Sequence, residues 1–265
     1  MRAQDTVLHM RKIIIRAFVC ANALVLAGAA KVSAQAADTG QSLASKVVDP
    51  SAGLSSITVQ DKVVFTRWDI SDGQNEVDVQ PVLPWTSFGH LNIFRVRVPF
   101  VTNNPPGFTG LDAVQAFNIT IFPRGGGVKF LAGILFQFAP DRGQQAGNFG
   151  IGPVLGGVKS KKSGWTYGLL NQNIFGSHIA SSQLQPILAK TISPKVSVAL
   201  GDLQLAYDWE AGQWTSLPIG AQLNYIAALG KQPIRLFVNP QYNFRDLTGA
   251  PQFSTTFGLA LLLVK

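Results

Sequence analysis

Charged residues alternate with large apolar residues in several short segments of this sequence. Glu76 and Asp78 flank an apolar residue, and so do Arg95 and Arg97. Neighbouring side chains of an extended strand point to opposite faces, so these segments place charge on one face and apolar groups on the other. Acids and bases that face each other across a narrow bore would create a transverse field and select the solutes that pass. The charged candidates for this role are Glu76, Asp78, Arg95, Arg97, Asp112, Lys129, Asp202, Asp208, Glu210, Arg235 and Arg245.

This set of charged residues permits two interpretations. In one, the charges line an open bore and act on passing solutes. In the other, acids pair with bases across the interior and support the wall of a sealed structural barrel that transports nothing. A barrel of about 12 strands lies between small barrels filled by side chains and wide porins, so both interpretations stay open.

Residues typical of enzyme active sites are scarce after residue 36. His90 and His178 each stand beside Gly or Ser in a predicted turn. The adjacent pair Ser177-His178 is not a catalytic triad, because a triad is defined by geometry and orienting partners. A barrel-type lipid hydrolase that uses His178 and a serine is the enzymatic alternative. We predict no enzymatic activity, no metal site and no cofactor, since two histidines without cysteine lack metal-ligand spacing.

The elements that would position the charges are strands. Residues 234–245 alternate throughout, with Ile, Leu, Val, Pro, Tyr and Phe on one face and Arg, Phe, Asn, Gln, Asn and Arg on the other. The longest apolar run after residue 36 is 257–264, well short of the roughly 20 residues that a membrane-spanning helix needs. The remaining structure that satisfies its backbone in lipid is a closed barrel.

The predicted fold class is all-β: a transmembrane, up-and-down antiparallel barrel. Turn-forming residues separate the strands, and the alternation slips by one residue near Gly201, which predicts a β-bulge. The longest connections, near 99–110, 139–147 and 245–251, would lie on one side of the membrane, as in outer-membrane barrels. The predicted strands are 63–70, 75–83, 90–98, 111–122, 128–138, 148–158, 164–175, 182–190, 196–209, 213–227, 233–244 and 252–264.

Composition favours lipid as the surroundings of the apolar face. Charged residues are 14% of the chain, below the roughly 25% of soluble domains, and hydrophobic residues are 46%. A soluble sandwich is the alternative, but the sequence lacks the charged solvent face that it would need. Aromatic residues near predicted strand ends fit the interfacial girdles of membrane barrels. They are Trp68, Trp85, Trp165, Tyr167, Trp209, Trp214 and Tyr242.

The first 36 residues have the composition of a secretory signal peptide. Arg11, Lys12 and Arg16 precede the apolar run 17–30, and a small-residue cleavage site follows at 34–36. Residues 1–36 are therefore predicted to be removed and 61–265 to form the barrel. Residues 37–60 would plug the lumen or extend into the periplasm. The basic balance of the chain belongs partly to the signal peptide, so we predict no nucleic-acid partner.

The second half of the chain resembles a known family. Gly164-Trp165-Thr166-Tyr167-Gly168 and Tyr207-Asp208-Trp209-Glu210 are similar to segments of the bacterial outer-membrane transporter-like barrels of the meta-pathway phenol-degradation type, sometimes misnamed neuromedin U. The resemblance covers most of 43–265 and is most specific in 147–235. It implies an outer-membrane barrel that takes up aromatic or other hydrophobic compounds.

These observations together predict a porin-like channel in the outer membrane of a Gram-negative bacterium. The channel would pass small molecules without energy input. The predicted partners are outer-membrane lipid, a small-molecule solute, and the barrel-assembly machinery during biogenesis.

Overall fold

Residues 42–105, 107–140 and 149–263 are described by the computed structural model of this chain. Most of them are in strands, with a helical turn, α1 (Leu43–Lys46), and a 3-10 turn at Gly125–Gly127. None of the helices in these ranges is long and apolar enough to cross a bilayer. The predicted signal peptide, residues 1–36, lies outside the described residues.

Twelve antiparallel strands close into a barrel. Each strand pairs with its neighbours in sequence, and β1 pairs with β12 from Ser56 opposite Leu262 to Arg67 opposite Pro251. The predicted all-β barrel is therefore confirmed. The strands are β1 Ser56–Arg67, β2 Gln74–Ser87, β3 His90–Asn103, β4 Val114–Arg124, β5 Val128–Phe138, β6 Phe149–Ser160, β7 Trp165–Gly176, β8 Ile179–Ser193, β9 Val196–Ala199 with Leu205–Asp208, β10 Gln213–Ser216 with Pro218–Gly220 and Gln222–Leu229, β11 Gln232–Asn243 and β12 Pro251–Leu262. A short extended segment, Gly110–Leu111, also pairs with β3.

Strand β9 is interrupted near its middle. It stops at Ala199 and resumes at Leu205, and between them Gly201 has a φ of +72°, a conformation that glycine adopts readily. Both halves of β9 pair with β8 and with β10, so the wall stays closed around the break. The irregularity predicted near Gly201 is present.

The side chains of the wall alternate between an apolar outer face and an inner face. Leu236 and Leu259 are each 40% exposed on the outer face, whereas Asn239, on the inner face of the same sheet, is 3% exposed. So large a continuous apolar surface is unfavourable in water and suits hydrocarbon. Other large apolar residues exposed on the outer face include Phe130, Phe136, Ile151, Leu155, Leu169, Leu188, Leu223 and Phe257.

Asp61 departs from this pattern. It occupies an outer-face position on β1, opposite Val77 of β2 and Phe257 of β12. The Asn75 amide donates a hydrogen bond to its carboxylate, and the Thr102 hydroxyl donates to Asn75. The apolar outer face offers the carboxylate no water, and the hydrogen bond from Asn75 replaces part of the lost hydration.

The two ends of the barrel differ in their connections. At the short-turn end, strands are joined by brief turns at 88–89, 125–127, 161–164, 194–195 and 230–231. At the opposite, long-loop end, the connections include 68–73, 104–113, 139–148 and 244–250. The longest connections therefore share one end, as the sequence predicts.

Aromatic side chains mark both ends of the wall. Trp85 and Trp165 are each 42% exposed near the short-turn end. At the long-loop end, Trp68 packs edge-on against Tyr242 with ring centroids 6.4 Å apart. Rings at these levels match the interfacial positions that tryptophan and tyrosine prefer in membrane barrels.

The first strand begins earlier than the sequence analysis predicts. β1 starts at Ser56, not at residue 63, and so includes the last residues of the segment 37–60. Thr58 and Gln60 face inward on this added part, in the same phase as Lys62. The cause of the error is Asp61, because a charge on the outer face breaks the expected alternation.

One side of the barrel interior is filled by apolar side chains. They come from β3 to β7 and pack into one buried cluster, with Leu131 and Leu135 of β5 almost completely inaccessible. Much of the inner face of these strands is apolar and packs as a core, whereas Arg95 and Arg97 of β3 border the free space. The buried members are Ile93, Phe117, Ile119, Ile121, Leu131, Leu135, Val154, Val158, Leu170 and Ile174.

The glycines of β6 offer a test of this packing. A Cβ at Gly152 would overlap the Asn173 carbonyl of β7, whereas the nearest atom to a Cβ at Gly157 is 3.8 Å away. We expect Gly152→Ala to lower the free energy of unfolding by about 2 kcal/mol, as overpacking of a tight interior does. Gly157→Ala should change it by less than about 0.5 kcal/mol. Urea unfolding of the folded barrel in detergent measures both, and equal effects would contradict the packing described.

Candidate functional site

A cluster of charged residues lies on the inner face where β1, β2 and β3 meet. The Arg97 Nη2 atom is 2.6 Å from Glu76 Oε1 and 3.0 Å from Asp78 Oδ2. Asp78 is completely buried and also accepts a hydrogen bond of 2.9 Å from the Gln60 amide. Lys62 stands opposite Glu76 in the strand register. Both carboxylates therefore share one guanidinium, and the positive charge of Arg97 is neutralised by carboxylates of the neighbouring strand.

Arg95 and Arg235 also point into the interior, but carboxylates do not hold them in the same way. The Arg95 guanidinium carbon lies 4.2 Å from the centre of the Phe117 ring, and that of Arg235 lies 4.5 Å from the Phe237 ring. Among the described residues, neither arginine has a carboxylate oxygen within 4.0 Å. Each guanidinium thus rests on an aromatic face, and no carboxylate neutralises its charge directly. Its positive field therefore extends into the adjacent cavity.

The break in β9 brings a carboxylate into this space. A Cβ at Gly201 would overlap the side chains of Asn239 and Gln222, both on the inner face, so the segment between the two halves of β9 lies inside the barrel. Asp202 follows and accepts a hydrogen bond of 3.2 Å from the Gln185 amide. It lines the same cavity as Arg95 and Arg235.

Three cavities follow one another along the polar side of the interior. The cavity nearest the short-turn end has a volume of about 190 Å³, the middle one about 170 Å³, and the one at the long-loop end about 270 Å³. The first and second share Arg95 and Asp202 in their linings, and the second and third share Lys62 and Arg97. Charged side chains therefore stand at both narrow points between the cavities.

The segment that precedes β1 contacts inward-facing residues at the short-turn end. Asp49 Oδ2 accepts hydrogen bonds from Ser160 Oγ, at 2.7 Å, and from Lys129 Nζ, at 3.4 Å. On the other side, Arg235 Nη1 donates to the Val47 carbonyl at 3.1 Å. These contacts attach residues 42–55 to both β5 and β11, and residues 46–50 help to line the first cavity.

Six of the predicted charged residues converge on the bore: Glu76, Asp78, Arg95, Arg97, Asp202 and Arg235. Asp112 is buried in the lining of the cavity at the long-loop end. Lys129 faces inward but is bound to Asp49, so it belongs to the attachment of the N-terminal segment.

Asp208, Glu210 and Arg245, also predicted to face the lumen, line none of these three cavities. Asp208 ends β9 and accepts hydrogen bonds from the Glu210 and Ala211 amides, and Glu210 is exposed in the turn that follows. Arg245 follows β11 and donates to the Trp214 carbonyl at 2.7 Å. Glu210 and Arg245 lie beyond strand ends, where the alternation of a strand no longer sets the direction of a side chain.

Sequence reasoning missed Lys62 and Asp49 as interior charges. The predicted first strand begins at residue 63, so Lys62 is left out of the set of inward-facing charges. It nevertheless shares the phase of Gln60 and Val64. The contact of Asp49 with Lys129 joins residues 80 positions apart, and no local pattern indicates it.

Histidines do not build a catalytic arrangement in the described part of the chain. His178 is exposed in the turn between β7 and β8, where its φ is +56°. His90 packs against Phe122 with ring centroids 5.0 Å apart. Within the same ranges, no group of three or more His, Cys, Asp or Glu residues is close enough to hold a metal ion.

Comparison with known proteins shows the fold and no more. No family model matches the chain, and no curated protein sequence matches it. The solved structure "KdgM porin in complex with disordered oligogalacturonate" has a TM-score of 0.54 and 11% identity, over 78% of this chain and 98% of that one. A second KdgM porin structure has a TM-score of 0.51, with the same identity and coverage.

Outer membrane phospholipase A from Escherichia coli has a TM-score of 0.45 and 9% identity, over 78% of this chain and 89% of that one. The two KdgM porin structures share the barrel architecture with this chain, and at 11% identity that likeness shows the fold alone. The resemblance to the phenol-degradation type of barrel stays a prediction.

The carboxylates around Arg97 provide a test of the cluster. Arg97→Gln would leave the buried Asp78 and Glu76 side by side without their cation, and we expect it to lower the free energy of unfolding by about 3 kcal/mol. Adding Glu76→Gln should recover part of this loss, because it removes one of the two repelling charges. Urea unfolding in detergent measures the free energy of unfolding of the two single variants and of the double variant. Lys231→Gln, at an exposed position, is the control. Additive effects of the two substitutions would contradict the cluster.

Proposed function

We propose that this protein is an outer-membrane channel for passive uptake of small molecules. The observation that carries the proposal is the row of three cavities, each bordered by charged side chains, inside a closed barrel whose outer face is apolar. An apolar outer face fits a lipid environment, and cavities in series with charged linings fit the passage of solutes with their water.

The outer membrane is the location that agrees best with the pattern of connections. Bacterial outer-membrane barrels have short periplasmic turns and longer external loops. The short-turn end would then face the periplasm and the long-loop end the outside of the cell. The architecture shared with KdgM porin is consistent with this location.

Charge in the bore favours small anions. Arg97 is already compensated by two carboxylates, whereas Arg95 and Arg235 share one cavity with Asp202 as the nearby acid. The narrow part next to the short-turn end therefore carries an excess of positive charge. In a narrow pore such an excess attracts anions and repels cations.

Aromatic anions are the solute class that combines this charge with the prediction from resemblance. Phe117 and Phe237 line the first cavity beneath the two guanidinium groups. Both rings are buried beneath the guanidinium groups, so a flat aromatic group with a carboxylate would stack on the free face of a guanidinium and pair with its charge. Uncharged hydrophobic compounds fit less well, because the middle cavity is lined mainly by amides and charges.

The N-terminal segment would restrict flow at the periplasmic end. Residues 42–55 are attached to opposite parts of the inner wall through Lys129 and Arg235. A segment held in this way narrows the bore without sealing the cavities above it, and its residues 46–50 form part of the lining of the first cavity. We therefore propose a partial plug.

Neutralising the two uncompensated arginines tests the proposed channel. In planar bilayers the native barrel should conduct and prefer chloride over potassium. The pair Arg95→Gln and Arg235→Gln should lower this preference several-fold or reverse it, because Asp202 would then dominate the field. The measured quantity is the reversal potential in a salt gradient.

Arg245→Gln, which removes a cation that lines none of the three cavities, serves as the control and should leave the reversal potential unchanged. A native protein that folds but never conducts would overturn the channel. Conduction whose ion preference does not respond to either arginine would overturn the assignment of selectivity to Arg95 and Arg235.

A further inference from the structure

A group of cations lies on the outside of the short-turn end. Arg124 ends β4, Lys159 lies near the end of β6, and Lys161 and Lys162 lie in the turn that follows. Lys190 lies near the end of β8, where its Nζ donates to the Ser163 carbonyl at 2.7 Å, and Lys195 lies in the turn after β8. Arg124, Lys161, Lys162 and Lys195 are exposed. None of these side chains enters an ion pair within the described ranges.

Aromatic rings of the outer wall lie against three of these cations. Lys190 Nζ is 5.1 Å from the centre of the Trp165 ring, and Lys161 Nζ is 5.3 Å from that of Tyr167. The Arg124 guanidinium carbon is 5.8 Å from the Phe130 ring. The rings are exposed on the apolar face, so each pair places a positive head group just beyond the level where hydrocarbon contact ends.

Acidic residues are missing from this part of the chain. Between Asp112 and Asp202 the sequence contains a single carboxylate side chain, Asp141, which lies outside the described residues. The cations therefore have no carboxylate of the described chain to neutralise them, and three adjacent turns present the same sign of charge.

We propose that this arc, defined by Arg124, Lys159, Lys161, Lys162, Lys190 and Lys195, binds the phosphate groups of anionic phospholipids in the leaflet around the short-turn end. Phosphate is the anion that lysine and arginine bind well at a membrane surface, and the adjacent rings occupy the interfacial layer where such head groups lie. The inference goes beyond solute passage and requires only that the barrel lies in a bilayer. It concerns the outer wall, so a failed channel experiment would not affect it.

Competition between two lipids tests this surface. Folded, delipidated full-length barrel in neutral detergent is mixed with equal amounts of phosphatidylglycerol and phosphatidylcholine, and bound lipid is counted by native mass spectrometry. The native barrel should retain more phosphatidylglycerol. The triple variant Lys161→Gln, Lys162→Gln, Lys190→Gln should lose this preference several-fold.

The matched control replaces the same three lysines by arginine, which keeps the charge and should keep the preference. Each variant is first checked for the mobility shift between unheated and boiled samples, which reports a folded barrel. If the glutamine triple does not fold, Lys162→Gln alone should give a smaller loss, because its side chain is exposed.

Three results would overturn the proposal. One is a native barrel that binds both lipids equally. Another is a glutamine variant that folds and still prefers phosphatidylglycerol. The third is a soluble polyphosphate chain that binds the lipid-free barrel as tightly as phosphatidylglycerol does, since the partner would then be a soluble polyanion.

Discussion

Backbone hydrogen bonding between β1 and β12 is the constraint on which the rest of the structure depends. A strand in lipid cannot leave its N–H and C=O groups unpaired, and the pairing of the first strand with the last removes both edges of the sheet. Once the sheet is closed, every strand has one face outside and one inside. Leu236 and Leu259 can then remain exposed to hydrocarbon while Asn239 and Thr256 face the interior.

Closure alone does not make a channel, because the interior could fill with side chains. Here the interior is divided. Leu131, Leu135 and their neighbours pack against one another on part of the inner face of β3 to β7, whereas amides and charges, among them Arg95 and Arg97 of β3, line the middle cavity. The break in β9 adds Asp202 to this polar side without opening the wall.

The same division determines which charges would act on a solute in the proposed channel. Arg97 is bound to two carboxylates of β2 and supports the wall, as the sealed-barrel interpretation of the sequence expects. Arg95 and Arg235 rest on phenylalanine rings and leave their charge directed at the free space. The two interpretations of the interior charges thus describe different members of one set.

Most of the wall could be predicted from the sequence, because alternation in segments such as 234–245 reports the same physics that sorts side chains between lipid and interior. The exceptions have physical causes. Asp61 lies on the outer face through contact with Asn75 and concealed the start of β1. Glu210 and Arg245 follow strand ends, so the alternation of a strand does not predict where their side chains point. The contact of Asp49 with Lys129 spans 80 positions, so no local periodicity predicts it.

The alternation itself can be measured with single spin labels. With Cys20→Ser as the background, the substitutions Leu236→Cys and Leu259→Cys place labels on the outer face, and Gln241→Cys and Thr256→Cys place them in the middle cavity. In vesicles, relaxation by oxygen, which concentrates in lipid, should dominate at positions 236 and 259. Relaxation by a water-soluble nickel chelate should dominate at 241 and 256. The reverse pattern, or labels at 236 and 259 that neither reagent reaches, would contradict a barrel whose outer face contacts lipid.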